Sequence, residues 1–149
     1  MMVHRMKAGS PGRQHGAVAV EFAFVFPILL GLAYSVIVYS MVYVFQQAIN
    51  FAAQQGAEAA VAVIPGVGDR NTAATTAVNN SLTWLSGAGI KPTVSFTGCS
   101  APAGAYVVRV SLTQAQLNSF LPPIANLPLL GTFPPLPPNG LAACAVAVS

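Results

Sequence analysis

Charge is scarce in this sequence. Only 6% of the 149 residues are Asp, Glu, Lys or Arg, against a hydrophobic fraction of 54%, where soluble domains run near a quarter charged. Such a shortage points to a membrane segment or to a surface buried in an assembly. Histidine is nearly absent: His4 and His15 both fall in the first sixteen residues. From Pro65 onward the single acid is Asp69. General acid–base work needs a positioned His, Glu, Asp or Lys, and paired-carboxylate chemistry needs two acids. A catalytic zinc needs three protein ligands, and the two cysteines have nothing to join them. Gly66-Val67-Gly68 and Gly87-Ala88-Gly89 lack the lysine of a phosphate loop and the third glycine of a dinucleotide loop. An enzyme is not expected, nor a cofactor, a metal or a small-molecule substrate.

The net charge of +3 is unevenly placed. Arg5, Lys7 and Arg13 lie at the N-terminus without an acid among them, while Arg70, Lys91 and Arg109 are balanced by Glu21, Glu58 and Asp69. The basicity belongs to a leader, and the remaining cations are too scattered to form a phosphate-binding stripe, so no nucleic-acid partner is expected. The two cysteines, Cys99 and Cys144, both follow the apolar segment. If that side of the membrane is oxidising they form one disulfide; two buried free thiols are the alternative.

What is present in abundance is apolar sequence. The run FAFVFPILLGLAYSVIVYSMVYVF, from Phe22 to Phe45, carries no charge. A bilayer core needs about 20 helical apolar residues, so this run can span. All flanking cations lie before it, which places residues 1–16 in the cytoplasm and the C-terminal part outside. Tyr34, Tyr39 and Tyr43 fall near the outer end, where amphipathic rings suit the interface. Pro27 removes one helical hydrogen bond, so a kink or local unwinding is expected there. Gly31-Leu32-Ala33 would pass as a secretory cleavage site, but the apolar run continues well beyond Ala33, further than a conventional signal core.

At the edge of the leader stands Arg13-Gln14-His15-Gly16-Ala17-Val18-Ala19-Val20-Glu21-Phe22. Glu21 is the sole charge between Ala17 and Ala57 and the fifth residue after Gly16. A carboxylate at the edge of an apolar span is functional by default, although an interfacial acid complementing a helix N-terminus satisfies the same observation. The whole arrangement of basic leader, glycine, apolar stretch and glutamate resembles the processing site of type IV prepilins. Gly16 to Leu30, with Pro27 six residues after Glu21, is similar to the start of TadE-like proteins, the pseudopilins of Tad (Flp) pilus systems. The alanine-rich Gln47–Ala57 stretch ending in Gly56-Ala57 resembles the same family. It departs in one respect: family members commonly have basic or acidic residues around that turn, where this chain has Gln54, Gln55 and Glu58. The match is clear over residues 13–60 and weak beyond.

That resemblance implies cleavage by a membrane prepilin peptidase between Gly16 and Ala17, with Glu21 then partnering the Ala17 amine of a neighbouring subunit. It implies a minor pseudopilin used in assembling a Tad/Flp-type pilus for surface attachment. Its partners would be the inner membrane, the peptidase, other pilins or pseudopilins and the assembly platform. The alternative is a permanently membrane-anchored accessory or adaptor of a pilus or type II secretion machine.

The expected fold is α+β and pilin-like, in three parts. Residues 1–16 form a cytoplasmic leader, 17–64 a transmembrane and stalk helix, and 65–149 a small exported domain. Gln47, Asn50, Gln54 and Glu58 make a polar stripe, and Ala48, Ala52, Ala59 and Val63 a small-residue face that packs on its own domain or on a neighbour. Pro65-Gly66 stops this helix. Asp69 caps a second helix from Arg70 to about Ser86, ended by Gly87 and Gly89, with Trp84 in a core or interface. Thr93–Thr97, Tyr106–Leu112 and Leu141–Val148 read as strands, which a Cys99–Cys144 bridge would staple. Between Pro122 and Pro138 lie seven prolines interspersed with leucines. This stretch reads as a loop pinned over the core, or as an apolar partner surface bearing Leu129, Leu130 and Phe133.

Overall fold

The computed structural model describes residues 15–64, 66–120, 125–127, 131–133 and 135–148. The fold is α+β. Helix α1 runs His15–Ala62 and passes through Pro27 without a break in the helix. The chain divides into two compact units, one up to Val36 and one from Ile37 to Ser149. In the first unit the described side chains of α1 are mostly exposed.

The second unit is built on the C-terminal part of α1. Its buried residues there are Val38, Phe45, Ile49, Ala52, Ala53, Ala57 and Ala60. From Phe45 onward these follow the three-and-four spacing of one helical face. Gln47, Asn50, Gln54 and Glu58 are exposed on the other side, as the stripe predicts. The buried face differs from the small-residue face read from the sequence. Ala52 belongs to it, but Ala48, Ala59 and Val63 are only half-buried. The face is instead centred on the larger Phe45 and Ile49, which remove more apolar area from water.

After α1, Gly66 adopts a left-handed φ of 87° and the Val67 amide donates to the Ile64 carbonyl at 3.1 Å. Asp69 caps α2 (Arg70–Ser81), accepting from the Asn71 amide at 3.1 Å and the Thr72 hydroxyl at 2.7 Å. The single second helix expected from the sequence is in fact two. At Leu82 the backbone leaves helical values (φ −111°, ψ 23°) before the short α3 (Thr83–Gly87) begins. Leu82 and Leu85 are both buried, so the change of direction lets two leucines enter one core. Helix α3 closes with paired bonds: the Gly89 amide donates to the Ser86 carbonyl and the Ile90 amide to the Leu85 carbonyl, each at 3.0 Å. Gly89 is left-handed between them, and Ile90 and Leu85 are buried, which is a Schellman termination.

Strands β1 (Thr93–Ser95), β2 (Tyr106–Leu112) and β5 (Leu141–Ala147) form an antiparallel sheet in the order β1-β2-β5. In this register Arg109 faces Ser95 on one side and Cys144 on the other. Val108, Val110 and Leu112 on β2 and Leu141, Ala143 and Ala145 on β5 are buried, so alternate residues supply the core face. Three elements were not read from the sequence. Helix α4 (Gln114–Phe120) follows β2 directly. A separate hairpin of β3 (Ala125–Leu127) and β4 (Gly131–Phe133) lies within the proline-rich stretch that reads as a loop. Its seven prolines all fall outside the two strands, as their missing amides require.

Two glycines are set by close approach. A methyl on Gly140 would stand 2.1 Å from the Leu112 carbonyl oxygen, and its φ is 72°. A methyl on Gly56 would stand 2.7 Å from Val78 Cγ2, 3.2 Å from Val108 Cγ1 and 3.3 Å from the Ala74 carbonyl oxygen. Gly56 is therefore where α1, α2 and β2 meet.

Candidate assembly surface

Helix α1 is, among the described residues, the helix long and apolar enough to cross a membrane. Phe22, Phe24, Ile28, Leu29 and Leu32 are each more than half exposed, an arrangement that water would penalise and lipid would not. Phe22 and Phe26, one turn apart, stack with ring centroids 5.3 Å apart. Two hydroxyls toward the C-terminal end of the apolar run are satisfied within the helix itself: Ser35 donates to the Gly31 carbonyl and Ser40 to the Ile37 carbonyl, both at 2.8 Å. That internal satisfaction is what a hydrocarbon environment demands.

Glu21 lies in the second turn of α1 and is exposed. Gly16 and Ala17 belong by their backbone to the first turn. The backbone at Gly16 and Ala17 is therefore helical and not extended. Unwinding that turn is inexpensive, because glycine in a helix lies about 1 kcal/mol above alanine and the first four amides have no intrahelical partner.

The second unit places the remaining sequence-derived residues. Cys99 and Cys144 are joined by a disulfide with Cα atoms 6.2 Å apart. Cys99 follows β1 and Cys144 lies in β5, so the bond ties the segment after one edge strand to the opposite edge strand. Cys144 alternates with the buried Ala143 and Ala145 and is exposed, which puts the bridge on the sheet face away from the core. Arg109 lies over the adjoining turn, where a methyl on Gly98 would come within 2.8 Å of Nη1. Leu129 and Leu130 lie outside the described residues, and Phe133 is placed by its backbone as the last residue of β4.

Reasoning from sequence missed an aromatic cluster. Phe45, buried on α1, stacks on Trp84 of α3 at 5.9 Å between centroids and meets Phe120 of α4 edge-on at 5.3 Å. Trp84 is 50% and Phe120 39% exposed. Phe120 had a local signal: Thr113-x-x-Gln116 is a capping box. The Thr113 amide donates to Gln116 Oε1 at 2.9 Å, and the Gln116 amide reaches Thr113 Oγ1 at 3.4 Å. The joining of three aromatic residues so distant in the chain had none. Near the same end of the unit the Tyr39 hydroxyl donates to the Pro135 carbonyl at 3.3 Å, and Gln46 Nε2 donates to the Ala142 carbonyl of β5 at 3.1 Å.

Among the described residues no three His, Cys, Asp or Glu side chains gather where they could hold a metal ion. The exposed helix is a surface for packing, in lipid or against other helices.

No curated protein and no solved structure matches the chain. The family model described as TadE-like protein does match, over residues 16–58. That stretch holds Gly16, Glu21, Pro27 and Gly56. The match bears out the TadE-like resemblance over this segment, which is less than a third of the chain.

Proposed function

We propose that this chain is a minor pseudopilin of a Tad/Flp-type pilus used in surface attachment. It is made as an inner-membrane precursor, with its N-terminus cytoplasmic and its C-terminal unit outside the cytoplasm. The observation that carries this reading is the TadE-like match over residues 16–58, coincident with one long apolar helix whose described side chains in the first unit are mostly exposed. Prepilin peptidase cuts between Gly16 and Ala17 once the first turn opens. The Ala17 amine so released pairs with Glu21 of a neighbouring subunit. In a low-dielectric span that pair aligns the subunits axially, because an unpaired carboxylate there is strongly disfavoured. The role is structural and needs no catalysis. Leu129, Leu130 and Phe133 extend the contact to other pilus components.

The test is the N-terminal residue and intact mass of the protein from native membranes and from sheared pili. Ala17 as first residue supports processing. A start at Met1 or Tyr34 removes it. A processed chain confined to membranes and missing from the sheared filaments identifies a permanently anchored accessory protein instead.

A further inference from the structure

The second unit leaves two large aromatic rings unfinished. Trp84 and Phe120 come from separate helices, both lie against the buried Phe45, and both keep a large part of their surface exposed. Helices α3 (Thr83–Gly87) and α4 (Gln114–Phe120), which carry them, contain no charged residue.

Phe45 gives the depth of these rings. It is the last residue of the mainly apolar run that begins at Phe22, and the amides Gln46 and Gln47 follow it. A hydrocarbon core of about 20 helical residues counted from Phe22 ends near Met41, and a headgroup zone of roughly 5–7 Å beyond it carries α1 to about Phe45. Trp84 and Phe120 then stand at headgroup depth, level with Tyr43, which is 63% exposed. Trp and Tyr favour that zone, where one end of the ring is apolar and the other wet.

Tyr39 falls two residues inside the core end counted at Met41, and the backbone beside it suits that edge of the hydrocarbon. Pro135, Pro137 and Pro138 have no amide hydrogen. The Pro135 carbonyl accepts from the Tyr39 hydroxyl, and the Pro137 carbonyl accepts from the Gly140 amide at 3.1 Å. A stretch with one backbone donor among four residues, and with two of its carbonyls engaged, leaves fewer polar groups to be met at a lipid surface than an ordinary loop does.

We infer that the exported unit sits on the outer surface of the bilayer through an uncharged collar of Tyr43, Trp84, Phe120 and the Pro135–Pro138 stretch, and that its ligand is the lipid interface itself. The inference rests on the reading that α1 crosses the bilayer. The collar holds the unit against the membrane until the subunit is withdrawn into a filament, when these rings must leave lipid.

Trp84 is the sole tryptophan of the chain, so its emission reports on the collar directly. The full chain is reconstituted into phosphatidylcholine vesicles whose acyl chains carry bromine either near the headgroup or near the methyl end. Shallow bromine should quench Trp84 strongly, deep bromine weakly, and aqueous acrylamide less than it quenches free tryptophan. Trp84→Phe with Phe120→Trp moves the reporter to the second ring and should give the same order. Alkaline extraction of the same vesicles checks the anchor. If the chain is stripped from the lipid, the spanning reading fails and the collar with it. If it is retained but bromine at either depth leaves Trp84 bright, the collar alone is overturned. Simultaneous protection from acrylamide would then assign the rings to a protein contact. A requirement for anionic lipid would also overturn the inference, since the collar carries no charge to answer it.

Discussion

Substituting Gly56 tests how closely α1, α2 and β2 approach, and the structure sets the sign. Two terms oppose each other in Gly56→Ala. Relief of glycine's disadvantage in a helix stabilises by about 1 kcal/mol. The added methyl would stand 2.7 Å from Val78 Cγ2 and 3.3 Å from the Ala74 carbonyl oxygen. Val78 is β-branched on a helix and has little rotamer freedom to yield, and the carbonyl belongs to the backbone of α2. Overpacking of this kind costs about 1–3 kcal/mol. The net effect is destabilisation by about 1 kcal/mol, a fall in melting temperature of roughly 4 °C for a unit near 100 residues. Gly56→Val recovers less helix propensity and adds two more carbons at the same point. Its loss lies at the upper end of the overpacking range, on the order of 10 °C. The assay is thermal melting of the full chain in micelles, followed by the near-ultraviolet dichroism of the Phe45–Trp84–Phe120 cluster. Val78→Ala in the Gly56→Ala background removes the opposing methyl, so the two changes together should be less harmful than their sum. A Gly56→Ala chain melting at or above the wild type would refute the close approach.

Three further outcomes are expected. Glu21→Ala should leave cleavage after Gly16 largely intact and impair assembly, read by the mature N-terminus and by counting pili; normal piliation would remove the Glu21–amine pair from the account. Cys99 and Cys144 close a loop 45 residues apart in sequence, for which chain entropy corresponds to about 4 kcal/mol. The double Ser variant should therefore melt far below the oxidised chain, and thiol labelling of native protein without reductant should find no free cysteine. Asp69 has its carboxyl held below the ordinary value of 3.8 by the Thr72 hydroxyl and then by the Asn71 amide. Since the folded value is the lower one, its stabilising contribution is complete above about pH 4 and is lost as pH falls through that depressed value. Asp69→Asn should flatten this acid limb in a melting-against-pH series, and an unchanged limb would assign it to other groups.

Much of this was legible in the sequence because it is written locally. The uncharged run, the glycine–glutamate spacing, the Asp69 cap and the alternation in β2 and β5 each sit within a few residues and follow from helix or strand period. The bridge between Cys99 and Cys144 could be expected from compartment and even count. Other features depended on what lies across the fold. The break at Leu82 arises because two leucines share one core, which no propensity of Ser81 or Thr83 announces. Helix α4 carries a legible capping box at Thr113 and Gln116, yet its seven residues are too few for helical periodicity to stand out. The β3–β4 hairpin is masked by prolines that flank its strands rather than interrupt them. Meeting of Phe45, Trp84 and Phe120 is a purely tertiary event, and so is the fit of Gly56 against Val78 and Val108.

One helix serves as both anchor and core. Phe45, Ile49, Ala52, Ala53, Gly56, Ala57 and Ala60, which the sheet and α2 need for burial, stand on the same α1 that carries Glu21 and the apolar span. A soluble fragment beginning at Pro65 would therefore be missing one wall of its interior and should remain unfolded or aggregate, whereas one beginning near Ile37 retains it. On the proposed topology the same sharing would couple export to folding. The last turns of α1 precede the sheet in the chain, so a subunit halted before the sheet follows them would leave Phe45 and Ile49 uncovered, an apolar face that quality-control proteases can recognise.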